Sequence, residues 1–211
     1  MKQTKLKNER NFMKKILILL SVIVISGCVT LNEEMLRKVN VIPPKVQTGL
    51  VELKAGEIVQ QLNGEGQNRG ILSNTTIAEA MGKGILSRWE SENIIADYAV
   101  PGALKRDPEY TMTISGTKNE DGSIIGAVFT GLSLYLIPSS QTLTYDLNIE
   151  FVNNQSKKHY NVKAKNAMTS WQQILLLPAI PFSWIGSHHM IQDTADYIYE
   201  ELRKQGAFEN K

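Results

Sequence analysis

The run "TLTYDLNIEF" constrains the fold of this chain more than any other stretch. Leu143, Tyr145, Leu147, Ile149 and Phe151 alternate with Thr144, Asp146, Asn148 and Glu150. A period of two puts one set of side chains on each face of a β-strand, one face buried and the other wet. The polar stretch "NNQSKK" can reverse the chain. "HYNVKAKNAM" then returns with Tyr160, Val162 and Ala164 on one side and Asn161, Lys163 and Lys165 on the other. The reading is a β-hairpin in which Lys163 and Lys165 face Asp146, Asn148 and Glu150 across the strands. An earlier strand, "YTMTISG", alternates Tyr110, Met112 and Ile114, with "NEDG" as the turn that follows it. "KVQTGLVEL" reads as the first strand of the folded domain.

Two helices complete the pattern. Ile77, Met81, Ile85 and Trp89 recur every four residues and so share one helical face, a core stripe. Thr76-Ile77-Ala78-Glu79 matches a capping box at the start of that helix. Gly82 and Gly84 weaken it and point to close packing against a neighbour. Near the C-terminus, Ile191, Ala195, Ile198 and Leu202 make a second stripe, with Asp193 or Thr194 as the cap. Arg203 and Lys204 suit the negative end of that helix, Gly206 can stop it, and Phe208 can fold back on it. The expected fold is α+β: an antiparallel sheet with a central β-hairpin, packed against two main helices at about 75–94 and 193–205.

The chain has 211 residues and 42% hydrophobic content, enough for one domain core beside a targeting segment. The formal charge of +2 hides an asymmetry. Residues 1–28 hold six basic groups (Lys2, Lys5, Lys7, Arg10, Lys14 and Lys15) and one acid, Glu9, which leaves 17 basic and 20 acidic groups after Cys28. A mildly acidic domain has no electrostatic footprint for nucleic acid.

The N-terminal segment indicates where the protein works. Lys14 and Lys15 flank an apolar run over residues 16–25, the length of a signal-peptide core and about half of what crosses a bilayer. Ser26, Gly27 and the only cysteine, Cys28, follow. "MKKILILLSVIVISGC", from Met13, is already a complete signal sequence. Ile25-Ser26-Gly27-Cys28 resembles the lipobox of bacterial lipoproteins, with Ile in place of the commoner Leu at its first position. The resemblance covers the first 28 residues. It implies that signal peptidase recognises Ile25, Ser26 and Gly27, that the Cys28 thiol receives a diacylglycerol, and that cleavage before Cys28 frees an amino group for acylation. Several acyl chains make a stable anchor where a single chain does not. In the enterobacterial sorting rule an Asp after the cysteine retains a lipoprotein in the inner membrane. Val29 implies passage to the outer membrane, facing the periplasm. The expected organisation is a signal peptide over 1–27, acylated Cys28 with a tether over 28–45 ending at Pro43-Pro44, and one periplasmic domain over 46–211.

Two apolar segments, 123–138 and 171–186, carry no charged residue. Both start from the open end of the hairpin, so they should be neighbours in space. One reading makes them core: a buried strand and a covered crossover. The other makes Leu176, Leu177, Ile180, Phe182 and Trp184 an exposed apolar surface for a membrane or an envelope protein partner, with Trp171 and Trp184 at its ends.

Catalytic motifs are absent from the sequence. The glycines of "NGEGQNRG" miss the dinucleotide and P-loop spacings. "SHHMIQDTAD" gathers Ser187, His188, His189 and Asp193, but a metal site needs three or four ligands, and the remaining histidine, His159, lies at the far turn. Triads are assembled from distant segments rather than ten consecutive positions. The expectation is a lipid-anchored, non-catalytic binding or accessory subunit of the cell envelope, without metal or cofactor. The alternative is a periplasmic carrier or chaperone whose sheet and helices enclose the apolar segments around a lipid or other apolar ligand.

Overall fold

The computed structural model describes residues 28–66, 72–104, 106–133, 136–172 and 185–208. Its elements follow in the order β1 (Cys28–Asn32), β2 (Thr48–Leu62), β3 (Glu65–Gly66), α1 (Asn74–Ser91), β4 (Ile95–Ala99), β5 (Tyr110–Gly122), α2 (Ile124–Leu132), β6 (Ser139–Asn153), β7 (His159–Gln172) and α3 (Ile185–Lys204).

The alternating run becomes β6 and pairs antiparallel with β7. Tyr145, Leu147, Ile149 and Phe151 turn inward and are buried. On the wet face Asp146 stands opposite Lys165, and Asn148 opposite Lys163. The turn is held by Asn153, whose Oδ1 accepts from the backbone N–H groups of Gln155 and Ser156 at 3.0 and 2.9 Å. Lys157 takes the left-handed conformation the reversal needs, with φ +57°.

β5 lies antiparallel to β6 along its whole length. It runs straight through Asn119, Glu120, Asp121 and Gly122, so the expected "NEDG" turn is replaced by continued strand pairing. β2, however, runs parallel to β5 on one side and to β4 on the other. β2, α1 and β4 form a parallel βαβ unit, in which the helix supplies the crossover that parallel strands require. The sheet has seven strands, in the order β1-β7-β6-β5-β2-β3, with β4 beside the first residues of β2.

The expectation of an antiparallel sheet packed against two main helices is corrected on these grounds. The sheet is mixed and curls into a half-barrel, and three helices occur among the described residues. The curl has a local cause. The β2–β5 register shifts between Ala55 and Ile58, a bulge that places Gly56 and Glu57 opposite Ser115. Next to it Gly116 has φ +148°, and a Cβ there would run into the carbonyl oxygen of Asp146 on β6. Glycine allows both the backbone angle and the close approach.

α1 begins at Asn74, three residues before the expected stripe. Its cap is Ser73, whose Oγ accepts from the Thr76 N–H at 3.1 Å, in place of the expected box at Thr76. Ile77, Met81, Ile85 and Trp89 are buried. Gly82 admits the Leu53 side chain of β2 against the helix backbone. α3 starts at Ile185, so Asp193 and Thr194 lie within it rather than at its cap. There Thr194 Oγ1 donates to the Met190 carbonyl at 2.7 Å and accepts from Asn166 Nδ2 of β7 at 3.2 Å. The far end of α3 closes as a Schellman motif: the Gly206 N–H reaches Arg203 O at 2.9 Å and the Ala207 N–H reaches Leu202 O at 3.0 Å. Phe208 then folds back 5.9 Å from the Trp89 ring, which also meets Phe151 edge-on at 6.0 Å. This aromatic cluster is the centre of the core.

Candidate functional site

The strand register collects the chemically distinctive residues at one end of the sheet. Gly122, the last residue of β5, faces Gln141 of β6. Ser139, the first residue of β6, faces Gln172, the last of β7. Gln172 in turn faces Cys28, the first of β1. The stretch expected as a tether therefore opens with a sheet strand. The lipobox-like cysteine stands two strands from the start of β6. The hairpin turn at 154–158 is at the opposite end.

α2 bridges β5 and β6 at the Cys28 end. The sequence reading allowed a buried strand here, and the finding is a nine-residue helix that turns Val128, Phe129 and Leu132 outward. Val128 is 54% exposed, Phe129 55% and Leu132 77%, and after the helix Leu136 and Ile137 are 66% and 49% exposed. Thr130, by contrast, is buried. Across its last two turns the helix thus turns Thr130 in and Val128, Phe129 and Leu132 out. Serine and threonine hydroxyls bond its backbone. Ser123 Oγ accepts from the Gly126 N–H at 2.9 Å, Thr130 Oγ1 donates to Gly126 O at 2.8 Å, and Ser133 Oγ donates to Thr130 O at 3.1 Å. The Ile137 N–H completes the set by donating to Ser133 Oγ at 3.0 Å. Trp171, 42% exposed, stands on β7 between Val29 of β1 and Ser140 of β6.

Two charges of β5 near this end engage each other. Lys118 pairs with Glu120, whose other oxygen accepts from Gln141 Nε2 at 3.0 Å. A small cleft of about 160 Å³ lies beside them, lined by Gly122, Ser123, Ser139, Gln141 and Gln172. A larger groove of about 720 Å³ lies elsewhere, between α1 and β4, with Leu50, Tyr98 and Val100 among its apolar lining and Lys83, Glu90 and Arg106 among its charged lining. The Lys83 ammonium is taken by Glu79 at 2.6 Å, a hydrogen bond that raises its pKa.

The other sequence candidates separate. Ile25, Ser26 and Gly27 lie outside the described residues, as do Leu176, Leu177, Ile180, Phe182 and Trp184. His188 and His189 are exposed on α3 with ring centres 6.5 Å apart. His159 is at the start of β7, where its Nδ1 meets Glu150 at 2.8 Å. Among the described residues no three His, Cys, Asp or Glu side chains gather as metal ligands. Asp193 instead accepts from Asn32 Nδ2 of β1 at 2.5 Å. The residues that sequence reading missed are those of α2. Val128, Phe129 and Leu132 at helical spacing were the available signal, but a short apolar run reads equally well as a buried strand.

No family model and no curated protein matches the chain. Among solved structures it is similar to a Xanthomonas campestris protein of the family model DUF330, at 12% identity over 82% of this chain and 95% of that one, with a TM-score of 0.40. It is similar also to the PelC dodecamer protein of Paraburkholderia phytofirmans, at 7% identity over 76% and 95% of the two chains, with a TM-score of 0.33. A Helicobacter pylori homologue of a neuraminyllactose-binding hemagglutinin overlaps at 11% identity over 83% and 91%, with a TM-score of 0.32. Overlaps this weak carry no activity from those proteins to this one.

Proposed function

We propose that this chain is a lipid-anchored protein of the bacterial envelope that acts as a binding or accessory subunit rather than as a catalyst. Cys28 would carry the acyl chains after cleavage behind Ile25, Ser26 and Gly27, and Val29 would direct the protein to the outer membrane, facing the periplasm. The observation that carries the reading is the place of Cys28: the residue at the lipobox position is also the first residue of β1, paired with Gln172. An anchor there would join the sheet without an intervening linker and hold the domain against the membrane surface. The carrier reading has less support, because the apolar face of α2 is exposed rather than folded around a cavity.

Expression of the full chain in a two-membrane bacterium tests this. The protein should recover in the membrane fraction with the mass of an acylated chain beginning at Cys28, and Cys28→Ala should leave an uncleaved, unacylated precursor. Cleavage elsewhere, or a mature mass without acyl groups, overturns the reading.

A further inference from the structure

We propose that α2 is a membrane-seating helix, its Val128, Phe129 and Leu132 face lying in the headgroup–acyl boundary of the bilayer that holds Cys28. The inference rests on the lipid-anchor reading and adds to it a second, non-covalent contact that sets which way the domain faces.

Four observations point to a lipid surface. First, α2 turns Val128, Phe129 and Leu132 to solvent while burying Thr130, at 77% exposure for Leu132 against 1% for Thr130. A helix on a water-facing surface hides its apolar stripe. Exposed contiguous apolar surface marks a binding face. Second, no charged residue occurs from Ser123 to Pro138. Insertion into lipid demands this, since a charge carried below the headgroups is costly. Third, the backbone ends of α2 are closed by Ser123 and Ser133, so the helix brings few unpaired polar groups to an apolar surface. Fourth, the helix lies beside the anchor. Ser139, the start of β6 seven residues after the helix, is two strand spacings from Cys28 through Gln172, or about 10 Å. Trp171 stands between the two on β7, and Trp favours the membrane–water boundary.

The test uses the full chain. Cys28 is its only cysteine, so after acylation a Leu132→Cys variant carries one free thiol for a nitroxide label. The labelled protein is reconstituted in phosphatidylethanolamine–phosphatidylglycerol vesicles, with Gln155→Cys, in the hairpin turn at the other end, as the reference. Collisions with oxygen and with a water-soluble nickel complex report depth. The expected result is a label at 132 shielded from nickel and open to oxygen, about 5–10 Å below the headgroup boundary, and a label at 155 in water. Val128→Cys is the second reporter, expected to give the same depth, and circular dichroism confirms that each variant folds. An acylated protein whose label at 132 meets nickel as freely as the label at 155 overturns the seating helix and leaves the anchor standing. A label at 132 shielded from both reagents is packed against protein, a second copy or a partner, and also overturns it. A mass without acyl groups on Cys28 overturns both readings.

Discussion

Arg88 of α1 and Asp196 of α3 meet side-on, Nε to Oδ1 at 3.1 Å and Nη2 to Oδ2 at 3.2 Å. The fork geometry gives two parallel charge-assisted hydrogen bonds. The same guanidinium reaches Glu92 one turn further along α1. Asp196 raises the pKa of Arg88, so the cation persists across the whole working range of pH. Both side chains are largely shielded, at 24% and 14% exposure, so water screens the pair less than it would on an open surface. Asp196→Ala should therefore cost about 1–3 kcal/mol of folding stability. Urea unfolding of Arg88→Ala, Asp196→Ala and the double variant gives the coupling, and a double variant equal to the sum of the singles would show the pair contributes nothing.

Trp89, in the turn of α1 that carries Arg88, is the second expectation. It is fully buried among Phe151, Tyr199 and Phe208, and its Nε1 donates to the Ala195 carbonyl at 2.9 Å. Trp89→Ala removes the ring and leaves the Ala195 carbonyl with its intrahelical bond alone. The loss should be about 3–5 kcal/mol, read from thermal or urea unfolding. Trp89→Phe should recover most of the packing but not the hydrogen bond.

Gly116 tests the origin of the curl. Its φ of +148° disfavours any side chain, and a Cβ would collide with the Asp146 carbonyl, which is backbone and cannot rotate away. Gly116→Ala should cost on the order of 3 kcal/mol or more. Gly131→Ala is the matched control, since a Cβ there meets nothing within 4 Å and glycine-to-alanine in a helix is mildly stabilising. Comparable losses in both variants would remove the special status of Gly116.

Alkali should unfold the protein through its buried phenols. Burial, followed by the nearby Glu120 charge, raises the pKa of Tyr145. Burial does the same for Tyr199, whose hydroxyl donates to Ile42 O at 2.7 Å. In the unfolded chain a phenol ionises near about pH 10. Below that pH both states hold the proton and the stability is complete. Above it the unfolded chain releases the proton first, and stability falls until the raised folded pKa is passed. Tyr145→Phe should flatten this alkaline loss without altering the pH profile below neutrality. An unchanged alkaline limb would place the titration elsewhere.

Much of this architecture is legible in the residues, because the forces that decide it are local. Alternation in Leu143–Phe151 sets which face of β6 is buried. The period of Ile77 to Trp89 sets the inner face of α1, and Arg203 to Phe208 spells out a helix end whose bonds span five residues. Pairing direction is not local in that sense. "TGLVEL" presents the same alternation whether β5 runs with it or against it; the crossover through α1 makes β2 parallel to β4, and the return from β4 lays β5 parallel to it on the other side. The sense of α2 is likewise a tertiary outcome. "IIGAVFTGL" satisfies strand, buried helix and exposed helix equally as a pattern. In the fold, Thr130 is buried and Phe129 and Leu132 are exposed. The sequence alone thus identifies Cys28 as an anchor candidate, while the place of an apolar surface near it depends on β1 pairing with β7, Cys28 with Gln172, residues more than a hundred positions apart.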